Sequence, residues 1–119
     1  MEEGGVLMDE SILNSIKLLV NSEEEDHDFD AEIITYINDS FLALNAMAVG
    51  TNEIFRIEDA SAVWGDFTQD EGLIGSMKSF IAARVRLRFD PPTTSYLIDA
   101  LKDQQFESGF YLRVYEDDE

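Results

Sequence analysis

Apolar positions recur with three-four spacing in four separate stretches of this chain, the mark of amphipathic helices that each bury one face. In residues 9–20, Ile12, Ile16, Leu19 and Val20 share a face, and Asp9 is placed to cap the helix. The second stretch opens at Asp30, with Phe29 set to pack on Ile34 as a hydrophobic staple. Ile33, Ile34, Ile37, Phe41, Leu44 and Ala48 carry its stripe over roughly 19 residues. Gly50 stops it, as glycine often does just past a helix end. The third covers 73–88, turning Met77, Phe80, Ile81 and Val85 inward together with the aliphatic stem of Arg84. Phe89-Asp90-Pro91-Pro92 then forces a corner, because proline lacks an N–H and drives the residue before it out of the helical region. Asp90 can cap the fourth helix, with Pro91 at its first position. Leu97, Ile98, Leu101 and Gln105 lie along one face of that helix, and Phe106, Phe110, Leu112 and Val114 make a second apolar set. Gly109 weakens it locally by about 1 kcal/mol relative to alanine.

Residues 51–72 break the helical period. Ile54, Phe55 and Ile57, then Val63, Trp64 and Phe67, form two apolar clusters separated by Glu58-Asp59-Ala60-Ser61. This stretch could form a short β-hairpin near 54–64 or an ordered loop. So long a connection is uncommon unless it carries something, and its turn is expected to project. The expected fold is mainly α: a small bundle of about four helices with a long central connection. A single domain over 1–119 is expected, with flexible tails at 1–8 and 116–119. No internal repeat and no linker divides the chain.

Charge changes this picture. The chain has 26 acidic residues against eight basic ones, a formal net charge of −18, yet 45% of it is apolar, enough for a folded core. Such an acidic excess disfavours autonomous nucleic-acid binding, which needs clustered cations facing outward. It suits basic protein partners, or a surface that must not adhere to DNA. The absence of cysteine excludes disulfides and zinc-thiolate sites. No apolar run approaches the roughly 18 residues of a membrane span. The start, Met1-Glu2-Glu3-Gly4-Gly5, has no basic n-region, so a soluble protein made in a reducing cytosol is expected.

Against the acidic background, residues 73–88 hold four of the eight cations, Lys78, Arg84, Arg86 and Arg88, and no acid. Two readings stay open. The four can pair with acids of their own fold, each exposed pair adding about 0–1 kcal/mol. Alternatively, some meet the acidic face of a neighbouring subunit, since a chain with separated basic and acidic faces can assemble head to tail into a ring.

Enzymatic signals are weak. Asp26-x-Asp28-x-Asp30-x-Glu32 has the opening spacing of a calcium loop, but the sixth position is Ala31 instead of glycine and the twelfth is Ile37 instead of a carboxylate. His27 is the single histidine and has no nucleophile or metal partner at a defined spacing. There is no phosphate-cradling glycine loop, no nucleophile elbow and no zinc motif. No enzyme activity, catalytic residue, metal or cofactor is expected.

The order of elements resembles a known family. Ser11-Ile12-Leu13-Asn14-Ser15-Ile16-Lys17 opens the fold and Phe29-Asp30-Ala31-Glu32-Ile33-Ile34 starts the long helix that Val49-Gly50 ends. Trp64 with Asp66-Phe67 lies in the connection, and Val85-Arg86-Leu87-Arg88-Phe89-Asp90-Pro91-Pro92 makes the elbow. Over residues 11–115 this arrangement is similar to the small head–tail connector, or adaptor, proteins of long-tailed phages. The resemblance implies a virion protein of the neck, made in the bacterial host cytoplasm. It would form a ring, usually twelvefold, beneath the portal protein, extending the DNA channel and offering a platform to the stopper or tail-completion protein. The family's C-terminal segment commonly docks into the portal, which would assign Phe106, Phe110, Tyr111, Leu112 and Val114 to that interface. Lys78, Arg84, Arg86 and Arg88 would then be candidates for contacts between subunits. Acidic side chains lining a channel would repel phosphates, and Glu58 and Asp59, or Glu23, Glu24 and Glu25, are candidates for that wall. DNA would pass without specific binding, and no membrane is involved.

A competing class is an acidic DNA mimic that fills the phosphate-binding groove of a host DNA-binding protein. Charge alone fits it. The acids are bunched, however, with four in 2–10, seven in 23–32 and four in 116–119, instead of being spread as a duplex-like array.

Overall fold

A computed structural model of the chain describes residues 8–20, 22–23, 25–46 and 54–117, with side chains as far as Leu112. Ala48, Gly50, Glu24, the Val114 side chain and most of the expected tails lie outside the described residues. Among the described residues five helices are bounded, in order α1 Ile12–Leu19, α2 Asp30–Ala46, α3 Trp64–Phe67, α4 Glu71–Phe89 and α5 Ser95–Asp117. Among the described residues there is no strand, so the fold is a small helical bundle.

α1 begins later than the pattern suggested. Ser11, not Asp9, caps it, with Oγ accepting from the Asn14 N–H at 3.2 Å. Ile12, Leu13, Ile16, Lys17 and Val20 turn inward, whereas Leu19 stays half exposed. The inward stripe therefore includes Leu13 in place of Leu19. α2 buries Ile33, Ile37, Phe41 and Leu44 along the expected face. Phe29, just before it, meets Phe89 edge-on with ring centroids 5.4 Å apart, which ties the start of α2 to the end of α4.

Of the two forms open to the long connection, the structure takes the ordered loop. Among its described residues no hairpin ladder forms, and its long-range backbone bonds go to α2 and to the segment that opens α1. Asn38 on α2 accepts from the Ile57 N–H at 2.8 Å and donates to the Ile57 carbonyl at 3.0 Å. The Ile12 N–H donates to the Ala62 carbonyl, the Trp64 N–H donates to the Glu10 carbonyl, and Ser11 and Val63 form an isolated antiparallel bridge. The one-turn α3 then brings Trp64 fully inside, where its indole N–H donates to Ser15 Oγ at 3.0 Å. Phe41, Phe55 and Phe67 pack beside it in edge-on and tilted pairs, with ring centroids 5.0–5.2 Å apart. These aromatics close the core at the end of the bundle away from the elbow.

α4 is the central helix, packed against α1, α2 and α5. Asp70 caps it through a bond from the Gly72 N–H. Its other end differs from expectation: Asp90 closes α4, its N–H donating to the Arg86 carbonyl, instead of opening α5. α5 starts at Ser95, after a five-residue elbow at 90–94, and Thr94 receives the Ile98 and Leu97 N–H groups through its carbonyl and hydroxyl oxygens. Two consecutive prolines keep the elbow extended, so the helix cannot nucleate at Pro91. α5 runs unbroken through Gly109, because Ser108 and Gly109 are buried against the rest of the fold. Burial there outweighs a propensity cost of about 1 kcal/mol.

Candidate interaction surfaces

α5 faces α4 through Ile98, Leu101, Gln105, Ser108 and Leu112, a three-four spacing that leaves the i, i+4 pair Phe106 and Phe110 on the outer side. Phe106 is 75% exposed, Phe110 56% and Tyr111 58%, with the Phe110 and Tyr111 rings 6.0 Å apart. Phe106 and Phe110 border a largely apolar groove of about 420 Å³, with Ala43, Ala46 and Phe80 on its other walls. Exposed apolar patches larger than a few hundred Å² are uncommon on monomeric proteins and often mark partner surfaces. Leu112, grouped with them on sequence grounds, is 1% exposed and belongs to the core of its own chain. The Val114 side chain is not among those described.

The cations of α4 all have partners within the chain. Lys78 Nζ lies 3.0 Å from Glu10 Oε1, and Arg86 Nε donates to the Asp90 carbonyl with the Asp90 carboxylate 3.9 Å away. Arg84 is the most embedded: Nη2 is 2.6 Å from Asp39 Oδ2, Nε donates to Ser40 Oγ at 3.2 Å, and the guanidinium lies 5.8 Å from the Phe80 ring centre. Arg88 reaches the same Asp39 oxygen at 3.9 Å. Asp39 thus serves two arginines, and those arginines retain positive charge toward solvent. They line a groove of about 430 Å³ between α4, the elbow and α5, floored by Leu87, Pro91 and Ile98 and closed by Lys102 and Gln105. No acidic side chain lines it.

The two acidic loops are ordered by different means. In the 58–61 turn, Asp59 accepts from the Ser61 hydroxyl and N–H, which pulls its carboxyl below the usual range. Glu58 and Asp59 are exposed, as are Glu23, Glu25, Asp26 and Asp28. The loop before α2 is pinned by Lys17, which is completely buried. Its Nζ donates to the Asp26 carbonyl at 2.7 Å and lies 2.8 Å from Asp30 Oδ1, while His27 Nδ1 sits 2.8 Å from Asp30 Oδ2. Burial alone would raise the Asp30 carboxyl, but Lys17 and then His27 outweigh it and hold it below its ordinary value. Sequence reading missed this strap. Its one visible signal was a lysine inside the 12-13-16-17-20 stripe, immediately followed by a run of acids.

Asp26, Asp28, Asp30 and Glu32 do not converge: among the described residues no group of three or more acids and histidines could hold a metal ion. No helix among those residues is long and apolar enough to cross a membrane.

The arrangement is one of ridges, grooves and fixed charged loops, suited to assembly with other proteins. The phage connector protein family matches residues 12–119, and the chain belongs to that family. Its class is therefore that of structural proteins joining phage head and tail. No curated protein and no solved structure matches the chain significantly.

Proposed function

We propose that this protein forms a twelvefold ring beneath the portal, which extends the DNA channel and receives the stopper or tail-completion protein. Membership of the connector family over 12–119 carries this reading. The docking surface toward the portal is the α5 ridge of Phe106, Phe110 and Tyr111, together with Tyr96 the largest exposed side chains of that helix among the described residues. Aromatic anchors beside a preformed groove are the usual centres of binding energy in protein interfaces.

The channel wall is drawn from the acidic loops, with Glu58 and Asp59 of the 58–61 turn as exposed candidates. Carboxylates facing the lumen repel phosphates and leave DNA no fixed site at which to adhere. Subunits meet through the basic side of α4.

The deciding measurement is the mass of the complex formed on mixing the full chain with the portal ring of the same phage. About one copy bound per portal subunit is expected. Phe106→Ala/Phe110→Ala should weaken that binding by roughly 30-fold or more. Its unfolding free energy should fall by no more than about 1 kcal/mol, because both side chains are more than half exposed. Absence of any complex at low and moderate salt would overturn the proposal and return attention to a basic DNA-binding target.

A further inference from the structure

Leu18 is the most exposed large apolar side chain outside α5 among the described residues. Leu18 is 77% exposed and Leu19 48%, side by side at the end of α1. Directly after them comes the acidic loop, with Glu23, Glu25, Asp26 and Asp28 in solvent. An apolar tip followed by a fixed cluster of carboxylates is an unusual surface. Lys17 holds the loop in place from beneath, through the Asp26 carbonyl and the Asp30 carboxylate, so little conformational freedom is left to lose on docking.

The counterpart lies on the same molecule. The groove between α4, the elbow and α5 has an apolar floor of Leu87, Pro91 and Ile98 and three cations, Arg84, Arg88 and Lys102, around it. Lys102 has no ion-pair partner among the described residues, and the two arginines share one carboxylate. This is the one groove described here that is lined by three cations and no acid, in a chain of net charge −18.

Tip and groove cannot meet within one chain, because α5 lies between them. Leu19 borders a small cleft against Ala82, Arg86, Leu101 and Gln104 on one flank of α5. The basic groove uses Ile98, Lys102 and Gln105 on the other flank. We infer that the leucine tip and acidic loop of one copy dock into the basic groove of the next. The contact has an apolar centre and a charged rim of opposite signs, the ordinary anatomy of an interface. Because donor and acceptor are different patches, each bound copy leaves its own groove open to another. The association is therefore head to tail and can close into a ring. This rests on the ring reading above and names the faces that build the ring. It also assigns the 23–28 loop to the subunit boundary and leaves Glu58 and Asp59 to the channel.

The absence of native cysteine makes the contact directly testable. The full chain carrying Leu18→Cys and Gln105→Cys, one site on each proposed face, is assembled on the portal ring and treated with a short bismaleimide. A ladder of dimers, trimers and larger species is expected. Each single-cysteine variant should give no ladder, and an equal mixture of the two should stop at dimers. Adding Lys102→Glu to the double variant should remove the ladder, and Glu25→Lys in the same chain should restore it. Full occupancy of the portal without a ladder would overturn the contact while sparing the ring. Cross-linking by Leu18→Cys alone would also overturn it, since that marks a two-fold pairing. No assembly on the portal would overturn both.

Discussion

Lys17 and the basic side of α4 hold their positive charge in opposite ways. Lys17 is wholly buried, bonded to a backbone carbonyl and a carboxylate, and it fixes a loop whose own charges point outward. The α4 cations are only partly covered, with side chains from 14% exposed at Arg84 to 44% at Arg88, and each lies at a surface. A buried cation deprived of its partner, or a carboxylate deprived of its cation, is costly because water cannot replace the lost contact. At the surface water can replace it, so the pairs add little stability and remain available to other molecules. The same residue chemistry is thus structural in one region and suited to recognition in the other.

The largest effect should come from breaking the buried pair. Lys17→Met keeps the apolar stem but leaves Asp30 with only the exposed His27 beside it and the Asp26 carbonyl without its Lys17 donor, at a cost of about 3 kcal/mol in urea unfolding. That is a large share of the stability of a typical domain. A loss below about 1 kcal/mol would show that water reaches the strap and would erase the contrast.

Acid should act on the same pair more mildly, since Lys17 keeps its bond to the Asp26 carbonyl. The Asp30 carboxyl is lowered in the folded chain, so the unfolded chain takes up the proton first as pH falls. Its contribution is complete well above the ordinary value of 3.8 and disappears as pH drops through the lower folded value. Unfolding followed from pH 6 downward should therefore show wild type losing stability below about pH 4 relative to Asp30→Asn, whose neutral side chain cannot titrate.

Arg84 stands between the two regimes. Arg84→Ala removes charge-assisted bonds to Asp39 and Ser40 and cover from Phe80, and should cost about 1.5–3 kcal/mol. Lys78→Ala gives up one partly exposed pair with Glu10 and should cost less than about 1 kcal/mol by the same unfolding assay. If Lys78 proved as costly as Lys17, exposure would not be the variable that separates the two regions.

Legibility in the sequence followed the same division. The stripe Ile33, Ile37, Phe41 and Leu44 is long and regular, and it is buried as its period required. The elbow was legible because two prolines leave few alternatives. Its exact use was not: both Asp90 and Thr94 can cap, and the extended path of the prolines gives the task to Thr94. Leu13 and Leu19 were harder still. Both lie near the edge of a short helix's apolar arc, and only the packing of α2, α4 and the returning 62–64 segment decides which is covered. The hairpin alternative was weighed from local pattern, whereas Asn38, distant in sequence, takes the Ile57 backbone bonds. The basic segment of α4 and the aromatic surplus of α5 were visible as composition. Their partners, Asp39, Ser40 and Glu10, were not.

The sequence by itself determined four main helical stripes, the corner at Pro91-Pro92, the acidic excess and the surplus of aromatic residues near the C-terminus, because periodicity and composition are local properties. Tertiary structure decided which charges are inside, that Leu112 is core while Phe106 and Phe110 are surface, and that the leucine tip and the basic groove lie on opposite flanks of α5. Burial is set by what the neighbouring helices cover, and a helix does not carry that information in its own period.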